Sequence, residues 1–416
     1  MNKHFAFVYI CLNFLFTNSL VFAQDSIYAR KVIQTLTAST FHGRGYVKNG
    51  DGIAAKYIAS EFSKMQLQKT GINYYQNFSF GVNTFPSSMK INIDGKTLKP
   101  GADYIVFPTA SSAKVEYNII YCDSASSLIK LKSDENSCLF ISNKIYAAHR
   151  EEITEILESR TKGAVVFIED TKLTWSVGRS QLKIPVIIAF QNALPHNSKK
   201  ISFKINAKFQ SQHKTQNVLA TINGKEVPDT FIVITAHYDH LGRMGKKTIF
   251  PGANDNASGV AMLLNLAAYY SSAEHQPRYS MLFIAFAGEE AGLVGSKYYT
   301  EHPVIPLSKM KFLMNLDLLG TGDEGATVVN ATEYKSQFAL LKSINEEKKY
   351  LSFLGERGKA RNSDHYHFSE KSVPSFFMYT MGGIKAYHDI DDIEKTLPLT
   401  KFKETFLLIR DFTDRL

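Results

Sequence analysis

Between Asp51 and Gln66 the apolar positions fall at Ile53, Ala54, Tyr57, Ile58 and Phe62. That three- and four-residue spacing is one face of a helix, and residues 26–38 read as a helix as well. From about Ser87 the texture changes to short runs rich in β-branched residues. Residues 89–93, 115–120, 164–168 and 184–188 are such runs, with turn-forming residues between them, and they read as strands of a β-rich module that ends near Lys214. After Gln216 apolar runs and helical spacings alternate. Strands are expected over 217–222, 230–236, 281–286, 312–316 and near 373–379. Helices are expected over 258–271, where Ala261, Leu264 and Ala268 share a face, and over 293–301, near 333–346 and near 400–414. The alternation predicts an α/β fold, a mainly parallel or mixed sheet flanked by helices, with the β-rich module inserted into it. Residues 24–86 and 215–416 then form one domain and 87–214 the insertion. No internal repeat or low-complexity tract interrupts this reading.

The N-terminus departs from both patterns. Lys3 and His4 precede an apolar stretch from Phe5 to Phe16, and Val21-Phe22-Ala23 forms a small-residue site of the A-x-A kind. This is the layout of a cleaved secretory signal over residues 1–23, with an uncleaved anchor as the alternative, and it places the protein in the periplasm or outside the cell. The apolar run is too short to span a bilayer comfortably, so stable membrane insertion is not expected. Composition adds little, since 44% apolar and 21% charged residues are ordinary for a globular chain. The net charge of +9 is scattered, with no basic run of the kind that makes a nucleic-acid arm. Past the leader two cysteines remain, Cys122 and Cys138. They are compatible with one disulfide or with two buried thiols, and their spacing is neither a redox nor a metal motif.

The chemistry sits where the strands end. His237-Tyr238-Asp239-His240 follows the run Phe231 to Ala236, Gly288-Glu289-Glu290 follows Met281 to Phe286, and Asp317 closes the run from Phe312. Asp255 lies in Gly252-Ala253-Asn254-Asp255-Asn256-Ala257-Ser258-Gly259, just before a helix, and Tyr387-His388-Asp389 lies far downstream. Ligand crevices of open α/β sheets lie outside the carboxyl ends of the strands, so these clusters should converge. Each has a plain alternative: a surface pair at His237, a helix cap at Asp255, a dipole contact at Glu289 and Glu290, a solvated turn at His388. Taken together, at one edge, the plain readings would leave charges beside very apolar strands without partners. Two histidines and three carboxylates can hold two zinc ions if one carboxylate bridges, and paired metals suit hydrolysis. Glu289 and Glu290 are adjacent and point differently, so one can ligate while the other acts as general base. Asp239 stands two residues after His237 on an extended segment and can receive its ring N–H.

These motifs, in this order, resemble the M-twenty-eight metallopeptidase family, the zinc aminopeptidases and their relatives. Gly43-Arg44-Gly45 and the helix from Asp51 are similar to the family's start. Lys162-Gly163-Ala164-Val165-Val166 and Ile184-Pro185-Val186 resemble, more loosely, a protease-associated domain. The resemblance implies that His237 and Asp317 bind one zinc, Glu290 and His388 the other, and that Asp255 bridges. It makes Glu289 the general base that takes a proton from the metal-bridging water and passes it to the leaving amine, and Asp239 the residue that orients His237. Tyr387 matches a position that stabilises an oxyanion in some members. A cis peptide between Asp255 and Asn256 is also implied. His365 and His367 are alternatives to His388 as the last ligand, and Asp364 and His365 match a recurrent segment near the pocket. The implied activity is removal of N-terminal residues from peptide substrates. Glutaminyl cyclase, carboxypeptidase or dipeptidase and a metal-free receptor-like relative are the other readings. The middle module reads as a lid or as a partner-binding domain.

Overall fold

Four strands, Val227–His237 from Phe231 on, Tyr279–Phe286, Met310–Leu316 and Ser375–Thr380, are largely apolar, and the physical reason is that both faces of their sheet are covered. In the computed structural model, which describes residues 26–122, 124 and 133–416, these runs are neighbouring parallel strands. The expected leader over 1–23 lies outside the described residues. The sheet has nine strands in the order 68–69, 208–222, 279–286, 227–237, 310–316, 375–380, 326–329 and 354–357, with 75–84 paired to 208–222. Its flanking pairs, 208–222 with 279–286 and 326–329 with 375–380, are antiparallel, so the sheet is mixed with a parallel centre.

Side chains of successive residues take opposite faces of this sheet. Ile232 and Ile234 join one core with helices Ser26–Thr37, Gly50–Lys64, Gly259–Ser271, Lys335–Lys348 and Phe402–Arg415, while Val233 joins another with Tyr299 and Phe368 from helices Val294–Glu301 and His365–Ser369. Helix Gly259–Ser271 is the most enclosed, with every residue but Tyr269 and Ser271 buried. It lies against the parallel centre, and its N-terminus opens at the carboxyl edge of the sheet, the edge that carries the charged clusters.

The insertion is built on a second, eight-stranded sheet in the order 96–98, 90–93, 200–205, 113–122, 138–142, 164–169, 186–190 and 104–106. The strands 113–122, 138–142, 164–169 and 186–190 are parallel to one another, and helices Asn143–Ala148 and Arg150–Ser159 belong to the same part of the chain. It has its own core, which includes Ile91, Leu139, Ile141, Val166 and Ile187. The polar stretch 208–214, which reads as the end of the module, is the outer half of one long strand, Lys208–Ile222. It pairs with Tyr75–Thr84, from Lys208 opposite Thr84 to Val218 opposite Tyr75, with an irregularity between Gln210 and His213. The boundary read at 214 therefore falls inside a strand that belongs to the first sheet. Cys122 and Cys138 do not pair with each other. Cys138 stands opposite Ile119 and Cys122 opposite Ile141 on neighbouring strands. That is three residues out of register, or roughly 10 Å along the strand, beyond the reach of a disulfide. Among the described residues no helix is long and apolar enough to cross a membrane.

Candidate metal centre

The three parallel strands 279–286, 227–237 and 310–316 are neighbours, so the residues that follow them emerge side by side. His237 is the last residue of its strand, Glu289 and Glu290 come three and four residues after Phe286, and Asp317 follows Leu316 directly. Asp255 arrives from the segment Ala253–Ser258 that leads into the central helix, and the Asp255–Asn256 peptide is cis. His388 comes from the loop near the C-terminus. His237 Nε2 lies 3.4 Å from Asp255 Oδ1 and 3.3 Å from Asp317 Oδ2. His388 Nε2 lies 3.1 Å from Asp255 Oδ2 and 3.2 Å from Glu290 Oε2. Asp255 thus turns one oxygen to each imidazole. Two ligand atoms each about 2.0–2.1 Å from one zinc at a tetrahedral angle stand roughly 3.4 Å apart, and these separations match that spacing. Asp317 Oδ1 is buried without a hydrogen-bond partner, and the donor set of imidazole and carboxylate is zinc's own, so the residues fit the metal. Ligating atoms also cluster as His237, Glu289 and Asp317 and as His240, Asp255 and Glu290, and the cleft is lined by His388 but by neither His367 nor His365, whose buried ring lies 5.4 Å from Phe377.

The groups around these side chains hold them in place, and several were not read from sequence. His237 Nδ1 is 3.2 Å from the carbonyl of Asp239, a distance at which it donates and leaves Nε2 as the lone-pair nitrogen. The Asp239 carboxylate is farther from it, at 3.9 Å. It accepts instead from the backbone N–H groups of Glu289 (3.2 Å) and Glu290 (3.3 Å) and from the Tyr46 hydroxyl (2.5 Å). Asp239 therefore fastens the glutamate turn as much as the histidine. Asp392 accepts from the N–H groups of Asn254 and Asp255, at 2.8 and 3.0 Å. Ser363 Oγ donates to Asp317 Oδ2 at 3.1 Å, and His240 Nδ1 stands 2.6 Å from Glu290 Oε1. Arg44, fully buried, donates to the carbonyls of Leu36, Tyr238, Pro251, Gly252 and Asp255 and so ties the N-terminal segment to two ligand loops. At Gly252, φ is +62°, and a Cβ would lie 2.1 Å from the Asp255 carbonyl and 2.4 Å from the His240 ring, so only glycine fits there. The flanking glycines of Arg44 and the acids after His388 were the sequence signals for Arg44 and Asp392. Nothing in the sequence pointed to Tyr46 or Ser363.

One support comes from the insertion. The loop at Trp175 meets His388 twice: the Trp175 N–H donates to the His388 carbonyl at 2.9 Å, and His388 Nδ1 stands 2.9 Å from the Trp175 carbonyl. The Trp175 ring is buried 4.6 Å from the Phe250 ring, and its Nε1 donates to the Val106 carbonyl at 2.8 Å. Lys172 pairs with Asp389 at 2.7 Å.

Electrostatics follow from crowding carboxylates and imidazoles in a buried place. Burial raises the Glu290 carboxyl, but His388 and His240 overcome it and hold Glu290 at about 2. Burial lowers His388, and the carboxylates of Glu290 and Asp255 drive it the other way, to about 11. Glu289 is pushed well above the usual range by burial, with Glu290, Asp364 and Asp317 adding to it and His237 opposing. The cluster opens into a cleft of about 260 Å³, whose further walls are Leu318, Phe377, Tyr379, Arg357, Asn362 and Tyr387. Tyr387 is stacked on the His388 ring, with centroids 4.0 Å apart, and is 44% exposed.

Known proteins resemble this chain in sequence and in fold. Residues 217–413 match the model of Peptidase family M28. The chain is 32% identical over 181 residues to Aminopeptidase YwaD of Bacillus subtilis, a stretch covering 42% of this chain and 38% of that protein. It is 39% identical over 113 residues to a probable zinc metalloprotease of Pyrenophora teres f. teres, covering 26% of this chain and 23% of that one. The chain thus spans a quarter to two fifths of the length of these curated relatives. In fold the likeness is longer. The aminopeptidase from Aneurinibacillus sp. strain AM-1 superposes with a TM-score of 0.67 at 21% identity, over 94% of this chain and 93% of that one. BSAP, a zinc aminopeptidase from Bacillus subtilis, superposes with a TM-score of 0.70 at 18% identity, over 94% of each. The α/β half of the chain, residues 217–413, which carries the strand-end motifs, thus matches peptidase family M28.

Proposed function

We propose that the protein is a zinc-dependent exopeptidase, an aminopeptidase that releases N-terminal residues from peptides. The observation that carries this reading is the placement of Asp255, whose two oxygens stand 3.4 and 3.1 Å from the ring nitrogens of His237 and His388. His237 and Asp317 would hold one zinc, Glu290 and His388 a second, with Asp255 shared. His240 is the nearest competitor for the second site, but its Nδ1 is already engaged with Glu290 Oε1, so it positions Glu290. Bound zinc supplies Lewis acidity toward the peptide carbonyl and acidifies water at neutral pH.

The chain's own residues do the rest. Glu289 lines the cleft beside these side chains, and its backbone N–H is fixed by Asp239. It takes a proton from the attacking water and returns it to the leaving amine. Tyr387 stacks on His388 at the open side of the cleft and offers its hydroxyl to the oxyanion that forms. Asp239 and Tyr46 keep the glutamate turn from shifting. The names of the relatives support the metal and the N-terminal specificity, and the leader read over residues 1–23 places the reaction outside the cytoplasm.

The test uses the mature chain from Gln24, stripped by a chelator and then given back zinc, against aminoacyl chromogenic substrates with free and blocked N-termini. Two zinc ions per chain and release only from free N-termini are expected. One ion with cyclisation of N-terminal glutamine would replace the reading with glutaminyl cyclase. Release only from C-termini or dipeptides would replace it with carboxypeptidase or dipeptidase, and a chain that binds no metal would overturn it.

A further inference from the structure

The wall of the cleft away from the ligands carries a charge that the reaction does not use. In the first sheet Asn315 pairs with Phe377, Phe377 with Val329, and Val329 with Arg357. Residues in one such cross-strand row project from the same face. This is the face on which Asp317, two residues after Asn315, meets His237. With strands roughly 4.8 Å apart, Arg357 starts about 10 Å from Phe377 and about 14 Å from Asn315. Phe377, which lies between Asn315 and Arg357 in this row, and Tyr379, with ring centroids 5.3 Å apart, line the same cleft as Leu318, Asn362 and Arg357. Arg278, Arg410 and Arg415 pair with Glu226, Asp411 and Glu347, and Arg361 lies over the Tyr366 ring. Arg357 has neither an ion-pair nor a hydrogen-bond partner among the described residues. It is the only lysine or arginine among the residues lining the cleft.

Resting on the exopeptidase reading, we propose that Arg357, with Asn362, forms a carboxylate subsite, so that the favoured substrates bear a carboxylate about one side-chain length from the scissile bond. The guanidinium fork matches a carboxylate in two parallel hydrogen bonds, and the aromatic wall takes the methylenes that precede it. Two sources supply this chemistry: the side chain of an N-terminal glutamate or aspartate, and the terminal carboxylate of a dipeptide.

The test compares kcat/KM for glutamyl, glutaminyl and lysyl p-nitroanilides, which lack a terminal carboxylate, and for a dipeptide and its amide. Zinc-loaded wild type, Arg357→Met, Arg357→Lys and Arg357→Glu are run in parallel, with metal content and thermal midpoint as checks on folding. A hydrogen-bonded charge pair corresponds to roughly 10- to 100-fold, and at this exposed position the lower end is expected. A glutamyl-to-glutaminyl ratio that falls about tenfold in Arg357→Met, recovers in part in Arg357→Lys and inverts toward lysyl substrates in Arg357→Glu supports a side-chain subsite. The same pattern confined to dipeptide over amide supports a terminal-carboxylate subsite. Ratios unchanged across all four proteins, with neutral aminoacyl substrates still cleaved, would overturn the subsite alone. A wild type that cleaves none of these substrates would overturn the exopeptidase reading and the subsite with it.

Discussion

Both sheets of this protein have four adjacent parallel strands, and they end in different ways. The strands of the first sheet end in His237, Asp317 and the turn to Glu289, with Asp239, His240, Asp255, Asp364 and Asp392 buried nearby. The parallel strands of the insertion end in Cys122, Ser142, Glu169 and Phe190, above a core that is almost wholly apolar. Parallel topology therefore supplies an edge and not a chemistry. What makes one edge a candidate site is a set of charged groups buried at considerable cost, most of them held by a second group, and tolerable because they face one another. The insertion reaches the His388 ring through the main chain of Trp175 and adds one ion pair beside it, Lys172 with Asp389, while the buried charges of the site come from the other sheet.

Four experiments would break or sharpen this contrast. The largest effect is expected from Glu289→Gln, which removes a proton acceptor and keeps the shape. Turnover should fall by roughly a thousandfold while metal content and thermal midpoint stay within error, and a variant that retains activity would remove Glu289 from the mechanism. Next, Leu139→Ala opens a cavity at a fully buried position of the insertion core. It should cost about 2–5 kcal/mol in denaturant unfolding, with kcat at low temperature unchanged because no charged group has moved. Trp175→Phe keeps most of the ring packing and loses the bond from Nε1 to Val106. It should loosen the loop that holds His388 and weaken zinc affinity roughly tenfold in a chelator competition. An unchanged affinity would confine the insertion to a shell around the site. The most gradual effect, spread over several pH units, concerns acid. Burial lowers His365 from its ordinary 6.5 to about 3, so the unfolded chain binds one more proton between those values. Stability then falls as pH drops from about 6.5 toward about 3, by at most about 1.4 kcal/mol per pH unit. His365→Leu should flatten that slope, measured by urea midpoints across the range.

Much of the site was legible because the burial pattern of a parallel strand is written in consecutive residues: an apolar run that stops at His237, at Phe286 or at Leu316 marks both the strand and its end. The helices at 51–66 and 258–271 were legible for the same local reason, and they are found at 50–64 and 259–271. Strands 75–84 and 208–214 were not, because their alternation is mild and their pairing partners lie more than a hundred residues away. Strands 138–142, 326–329 and 354–357 are too short to separate from loop by spacing alone. The supports of the ligands were hidden for another reason. Trp175 acts through its carbonyl and N–H, which every residue but proline carries in full, so no side chain at that position advertises the role. Tyr46 and Asp239 are 193 residues apart and meet only in the fold. Arg357 could not be placed on the cleft until the order of strands 375–380, 326–329 and 354–357 was known.

The ribbon of 75–84 and 208–222 has an implication for how such a chain is assembled over evolutionary time. The insertion departs after Thr84 and returns at Lys208, and these two residues are direct partners, roughly 5 Å apart. In connectivity the unit is a cassette: a short hairpin turn would close the gap, and a gene could gain or shed the segment without tearing the parent sheet. In function it is no longer detachable, because its removal would leave the His388 ring without the carbonyl that orients it. A lineage that discards the cassette must find another acceptor for that imidazole first.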